Sequence, residues 1–187
     1  MLGAGILPLL RALGSRMHRL AAARGEKRLR RAAAQGRPIF VGSPERPYEP
    51  AAWPRAPWEI LASFSGLAIR VTARWPAVAG QLAALAKLDR RHAVAVDLVV
   101  AAGDPESQRV GPAVKRLAEQ GITTRVLLQP GRGAHPGLDG LGRLVEAVRR
   151  AGAFDLRLAD GAPRAWARRV RRLRLEHGFP HRLPGRG

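Results

Sequence analysis

Cysteine is missing from this sequence altogether, which excludes disulfides, thiolate nucleophiles, and iron–sulfur clusters held in the usual way by Cys thiolates. Acidic residues are few, 14 Asp and Glu against 33 Lys and Arg, leaving a formal net charge of +19 and an isoelectric point of about 11.9. Lysine is scarcer still: Lys27, Lys87 and Lys115 are the only three. Such a balance points to polyanionic partners, nucleic acid or an anionic membrane. The rival explanation is compositional, since arginine in place of lysine, beside abundant Ala, Gly and Pro, is what a GC-rich coding sequence gives irrespective of function. Long apolar runs are lacking too. None nears the roughly 20 residues that span a bilayer, because Asp97 and Arg125 interrupt the longest candidates, so a soluble, cytoplasmic protein is expected.

What is present suits one ordinary globular core: 187 residues, 46% of them hydrophobic. The clearest unit runs from His92 to Gln129. An apolar run, Ala93 to Ala101, is followed by a helical segment, Pro112 to Gln120, and a second apolar run, Thr123 to Gln129. Pro112 suits a first helical turn, and Gly121 can turn left-handed at the end. Two strands joined through a helix run parallel with a right-handed crossover, so this stretch predicts a βαβ unit.

The remaining segments repeat the alternation. Met1 to Arg37 carries Leu9, Leu13, Met17 and Leu20 at helical spacing among arginines, and reads as a basic amphipathic N-terminal arm, with an organellar presequence as the alternative. The domain then spans residues 38–177, and 178–187 is a tail. Ile39 to Gly42 reads as a strand, Ser43 to Ala56 as a proline-rich loop, Pro57 to Leu61 as a short helix and Leu67 to Ala73 as a second strand. Val78, Leu82, Leu85 and Leu88 predict one helix after Trp75-Pro76. Past the βαβ unit, Leu141, Leu144, Val145 and Val148 mark a helix, Phe154 to Leu158 a fifth strand, and Trp166, Val170 and Leu173 a last, arginine-rich helix.

Five short strands separated by helices predict an α/β fold with a parallel sheet. Alternation along the strands sorts their faces: Ile69, Val71, Val126, Leu128, Phe154, Leu156 and Leu158 form an apolar side, and Arg70, Thr72, Arg74, Arg125, Gln129, Asp155 and Arg157 a polar one. In a doubly wound sheet both faces of a central strand are apolar, so a polar second face favours a parallel-stranded partial (β/α) barrel of about five βα units around a wetted, charged concavity.

The order of segments resembles the radical S-adenosylmethionine (radical SAM) superfamily, in particular proteins similar to spore photoproduct lyase. Arg46-Pro47-Tyr48-Glu49-Pro50 looks like that group's Asp-Pro-Tyr-Gln/Glu-Pro motif, and Ile69 to Arg74 stands where the family has a strand ending in Thr-Lys-Ser. Val94 to Leu98 matches an apolar strand carrying serine, and Arg116 to Ile122 a leucine-rich helix before Gly-Ile. Gln129-Pro130 with Pro136 to Asp139, and Ala151-Gly152-Ala153, complete a collinear series over about Ile39 to Leu158. The resemblance implies a partial barrel, and for the family a 4Fe-4S cluster and SAM. Here the Cys-x-x-x-Cys-x-x-Cys loop is missing, Ala73 replaces the Lys of Thr-Lys-Ser, Asp97 the strand Ser, and Arg46 the Asp. The expectation is therefore an N-terminally truncated or degenerate radical SAM-like protein with no cofactor of its own, non-catalytic alone.

Candidate site residues lie on the polar side: Arg70, Thr72, Arg74, Asp97, Arg125, Gln129 and Arg157, with Pro47, Tyr48, Glu49 and Pro50 as the family-like motif. Asp97 facing a concavity could act as a base or cation ligand; an ion pair with Arg70, Arg74 or Arg125 is the competing expectation, because an unpaired buried charge costs several kcal/mol. The arginines suit a phosphate or carboxylate. Gly131-Arg132-Gly133 before Pro136 is a weak dinucleotide fingerprint with proline in the third glycine's place. His177 and His181 have i, i+4 spacing, but Gly178 and Pro180 argue against a helix and a zinc site. Two other functions compete with the radical SAM-like one: binding nucleic acid through arginine-rich termini, and small-molecule enzymology on the polar concave face.

Overall fold

The computed structural model describes residues 26–52, 56–101, 108–129, 138–159, 162 and 164–179. The first 25 residues, the Gly131-Arg132-Gly133 loop, and the tail from Pro180 with His181 lie outside the described residues.

Among the described residues five strands form one sheet: β1 (Ile39–Val41), β2 (Ala68–Ala73), β3 (Ala93–Ala101), β4 (Thr123–Gln129) and β5 (Asp155–Leu158). Their spatial order is their sequence order, and every pairing is parallel. The chain therefore steps in one direction across the sheet, through α2 (Pro57–Leu61), α3 (Trp75–Ala79), α4 (Leu82–Asp89), α5 (Val110–Glu119) and α6 (Leu138–Arg150), with α7 (Arg164–Glu176) after the last strand. Right-handed crossovers that all step the same way stack their helices on one side. The contacts agree, since α2 packs on α4, α3 on α5, α5 on α6 and α6 on α7.

The core lies between that helical layer and the sheet, in two parts. Over β1, β2 and the start of β3, Ile39, Val41, Ile69, Val71, Val94 and Val96 meet Trp58, Leu61, Leu85 and Leu88. Over the rest, Leu98, Val126, Leu128 and Leu156 meet Val114, Leu141, Val145, Val170 and Leu173. The helical residues 26–34 (α1) bring Leu29 and Ala33 into the first part. Phe154, grouped with the apolar side in the sequence, precedes β5 and is half-buried.

The single helix expected across Val78 to Leu88 is two, α3 and α4, broken at Gly80 and Gln81. Glycine has poor helix propensity, and Gln81 leaves the helical region at φ −122°, ψ 5°. Its side-chain oxygen accepts a hydrogen bond from Trp58 Nε1 at 3.1 Å, so the break ties α2 to the chain beyond it. Gly121 ends α5 as expected: at φ 77° it lets the Ile122 N–H return to the Leu117 carbonyl at 3.0 Å, and β4 starts one residue later.

His92, the residue before β3, is 4% exposed. Its Nδ1 accepts the Leu67 N–H at 3.3 Å, so the proton of the neutral ring sits on Nε2, which lies beside the Leu61 carbonyl without a well-formed hydrogen bond to it. Burial lowers the His92 pKa, the adjacent Arg91 charge lowers it further, and the Leu61 carbonyl opposes both. A depressed pKa in the fold means that the neutral ring contributes stability in full above the unfolded value of about 6.5, and that this is lost as pH falls through the folded value. The melting temperature is accordingly expected to drop between pH 7.5 and 5.5 in the native chain and to drop less in His92→Asn, which keeps an acceptor near Nδ1 but does not titrate.

Candidate functional site

The sheet face away from the helices carries the polar side chains, and register aligns them in rows. Thr72, Asp97, Arg125 and Asp155 are successive cross-strand partners, as are Phe40, Arg70, Ala95 and Thr123. Neighbouring strands lie about 4.8 Å apart, so Arg125 stands between two carboxylates, each one strand away.

Asp97 is 3% exposed, in the middle of a strand buried without a break from Val96 to Val100. Arg125 meets it with a two-pronged contact, Nε to Oδ1 at 2.9 Å and Nη2 to Oδ2 at 2.5 Å. Arg70 Nε lies 3.6 Å from Oδ2, close enough for charge attraction and too far for a hydrogen bond. Both carboxylate oxygens are thus engaged by Arg125. The fork geometry of guanidinium makes such a pair orientationally specific. Asp97 is therefore an ion-pair partner in this structure, and its lone pairs are not presented as a free base or cation ligand.

A second carboxylate cluster forms at the edge. Asp155, 2% exposed, accepts from the Leu156 N–H and from Arg174 Nη2 at Oδ1, and from Arg157 Nε at Oδ2, each at 2.8 Å. Arg174 comes from α7, nineteen residues downstream, and has no motif to announce it. Parity along β5 is the one sequence signal, since it puts Asp155 beside Arg157.

The loop after β1 folds over the C-terminal half of this face. Gly42 makes the turn at φ 80°, where a Cβ would fall 2.4 Å from the Thr72 carbonyl oxygen and 2.6 Å from the Tyr48 nitrogen, so only glycine fits. Ser43 N–H bonds the Arg46 carbonyl at 2.9 Å, and Gln129 Nε2 donates to the Pro44 carbonyl at 2.6 Å across the sheet. Beneath the loop is a cavity of about 390 Å³ whose walls include Arg70, Thr72, Asp97, Arg125 and Arg157. Five of the sequence candidates thus share one cavity, and Gln129 holds its roof. Arg74 does not line it; it stands past the end of β2, immediately before α3.

The motif residues serve the loop. Tyr48 N–H bonds the Thr72 carbonyl at 2.7 Å, and its ring, 3% exposed, packs edge-on against Trp58 with centroids 4.8 Å apart, turned into the core. Burial pushes the Tyr48 phenol pKa up. Pro47 backs the Gly42 turn, Glu49 is exposed, and Pro50 begins a short 3-10 turn. Ser43 Oγ, 2.8 Å from Glu45 Oε2, holds that exposed carboxyl below the usual range. Among the described residues no group of three or more His, Asp and Glu could hold a metal ion, and no helix is long and apolar enough to cross a membrane.

Compared with family models, curated proteins and solved structures, the chain gives no match.

Asp97→Asn is expected to destabilise the fold by on the order of 3 kcal/mol, because it leaves the Arg125 charge without its counter-ion. Chemical denaturation measures this. The double variant Asp97→Asn/Arg125→Met should recover most of the loss, as an interaction between the two side chains requires; equal, additive losses would show that the pair does not matter.

Proposed function

We propose that this chain is a cysteine-free relative of the radical SAM proteins, its sheet curved as a partial (β/α) barrel around the polar face, and that it is non-catalytic alone, as an accessory or degenerate product. The observation that carries this reading is the strand order: five parallel strands in sequence order, with helices on one face, follow the succession that a (β/α) barrel also uses. The position of the Tyr48 motif supports it, since the motif follows β1 and docks beside the end of β2. So does Asp97, which stands where the resembling family has serine and spends both oxygens on Arg125.

The family's 4Fe-4S cluster does not fit these residues. It needs three thiolates with one iron left open to SAM, and the sequence has none. We therefore derive no radical step for this chain. Anaerobic reconstitution with iron, sulfide and reductant is expected to give neither a stable absorption band near about 400 nm, where thiolate-bound clusters absorb, nor 5′-deoxyadenosine from SAM. Appearance of both would overturn the reading.

A second reading, binding of nucleic acid, is favoured by one feature of α7. Arg164, Arg168, Arg171 and Arg172 are exposed along one side of the helix, at i, i+4, i+7 and i+8, and none forms an ion pair with another described residue. They extend over about 12 Å at 1.5 Å per residue, and the one acid of the helix, Glu176, lies to the side. On this reading Arg168→Gln/Arg172→Gln reduces the slope of log affinity against log salt by about two for a short duplex. An unchanged slope would assign the binding to net charge spread over the whole surface.

A further inference from the structure

We infer that the cavity under the Ser43–Arg46 loop binds a small organic anion, its oxyanion head held by Arg70, Arg125 and Arg157 and its apolar body lying on Phe40, Leu127 and Leu158. The inference rests on the chemistry of the cavity walls and is independent of the radical SAM reading.

The donors outnumber their acceptors. A guanidinium carries five N–H groups, and three guanidiniums line this space. Arg125 commits Nε and Nη2 to Asp97, Arg157 commits Nε to Asp155, and Arg70 makes only the 3.6 Å charge contact. The Nη1 atom of Arg125 and both Nη atoms of Arg70 and Arg157 have no partner among the described residues. Arg125 is 11% exposed, Arg70 30% and Arg157 45%, so an anion here would displace water from the last two and meet the most withdrawn guanidinium at Arg125. The carboxylates of the lining leave most of these donors unmet: Asp97 takes its two hydrogen bonds from Arg125 and meets Arg70 only through the 3.6 Å charge contact, and Glu45 is exposed and tied to Ser43. With the groups paired to the lining included, Arg70, Arg125, Arg157 and Arg174 stand against Asp97, Glu45 and Asp155, and the one positive charge left over disfavours a metal cation and favours an anion.

The other walls set the rest of the ligand. Phe40 is a large apolar side chain left 65% exposed, and it shares the cavity with Pro44, Leu127 and Leu158. Bare inorganic phosphate would leave that surface wet. An anion with an aromatic or aliphatic body covers it, and a volume of about 390 Å³ lies in the range of small-molecule sites. Carboxylate and phosphate monoester share the oxyanion chemistry, and two probes separate them.

Isothermal titration calorimetry of the full chain at constant ionic strength, with phenyl phosphate and with benzoate, tests the inference. One-site saturable binding of at least one probe is expected, with inorganic phosphate weaker than phenyl phosphate for want of the apolar body. Arg70→Gln and Arg157→Gln should each weaken binding about ten-fold, the loss of one charge-assisted hydrogen bond. Arg70 makes no short bond within the fold, so its variant keeps the native circular dichroism. Arg168→Gln/Arg172→Gln removes two charges, twice as many as either single variant, from the remote surface of α7 and should leave binding unchanged. Saturation by phenyl phosphate alone identifies a phosphate site, and by benzoate alone a carboxylate site. Overturning results are an absence of saturation with both probes, or an equal weakening by the α7 variant, which would mean that the net charge of +19 gathers anions without a site.

Discussion

The contact between Asp97 and Arg125 is the constraint to which the polar face is built. A carboxylate in the middle of a strand buried from Val96 to Val100 is tolerable only with a partner that supplies both charge and directed donors. Arg125 supplies both from the adjoining strand, at the position that register places directly opposite. That pairing fixes more than a charge. Sliding β4 by one residue against β3 would turn Arg125 into the helical layer and bring Val126 or Thr124 to face Asp97. The pair thus opposes register errors that an all-aliphatic sheet would resist only through packing.

Most of the fold could be read from alternation and punctuation, since both are local. The βαβ unit between Ala93 and Gln129 is legible because Pro112 and Gly121 bracket an apolar-striped helix between two β-branched runs. The break between α3 and α4 was not legible from apolar spacing, because Val78, Leu85 and Leu88 are buried whether the helix is whole or split. What decides it is the contact of Gln81 with Trp58, across 23 residues. The site divides along the same line. Strand parity puts Arg70, Thr72, Asp97, Arg125 and Arg157 on one side, which suffices to collect them into one cavity. The roof depends on Gln129 reaching Pro44, 85 residues away, and the edge cluster on Arg174 reaching back to Asp155. Neither leaves a periodic trace. Phe40 was read only as part of a short strand, although its parity with Arg70 already placed it on the open face.

The heavy positive charge resolves into different environments. Arg125 and Arg174 are bound to carboxylates and largely withdrawn from water, and there the planar fork matters more than the charge. Arg164, Arg168, Arg171 and Arg172 lie along a solvent face, where screening over about 8 Å reduces their influence at physiological salt. It is burial that gives the first population its structural role.

Strand order also determines how this chain tolerates loss. Each described strand pairs only with its neighbours in sequence, and the described helices pack in nearly the same succession, so most inter-element contacts join units adjacent along the chain, with the Gln129–Pro44 tie as an exception. An array of this kind resembles a row of shingles: a unit removed from either end uncovers one neighbour and leaves the pairings of the others intact, whereas removal from the middle severs two. Lengthening or shortening by whole βα units at either end therefore disturbs fewer strand pairings than any change in the middle of the sheet.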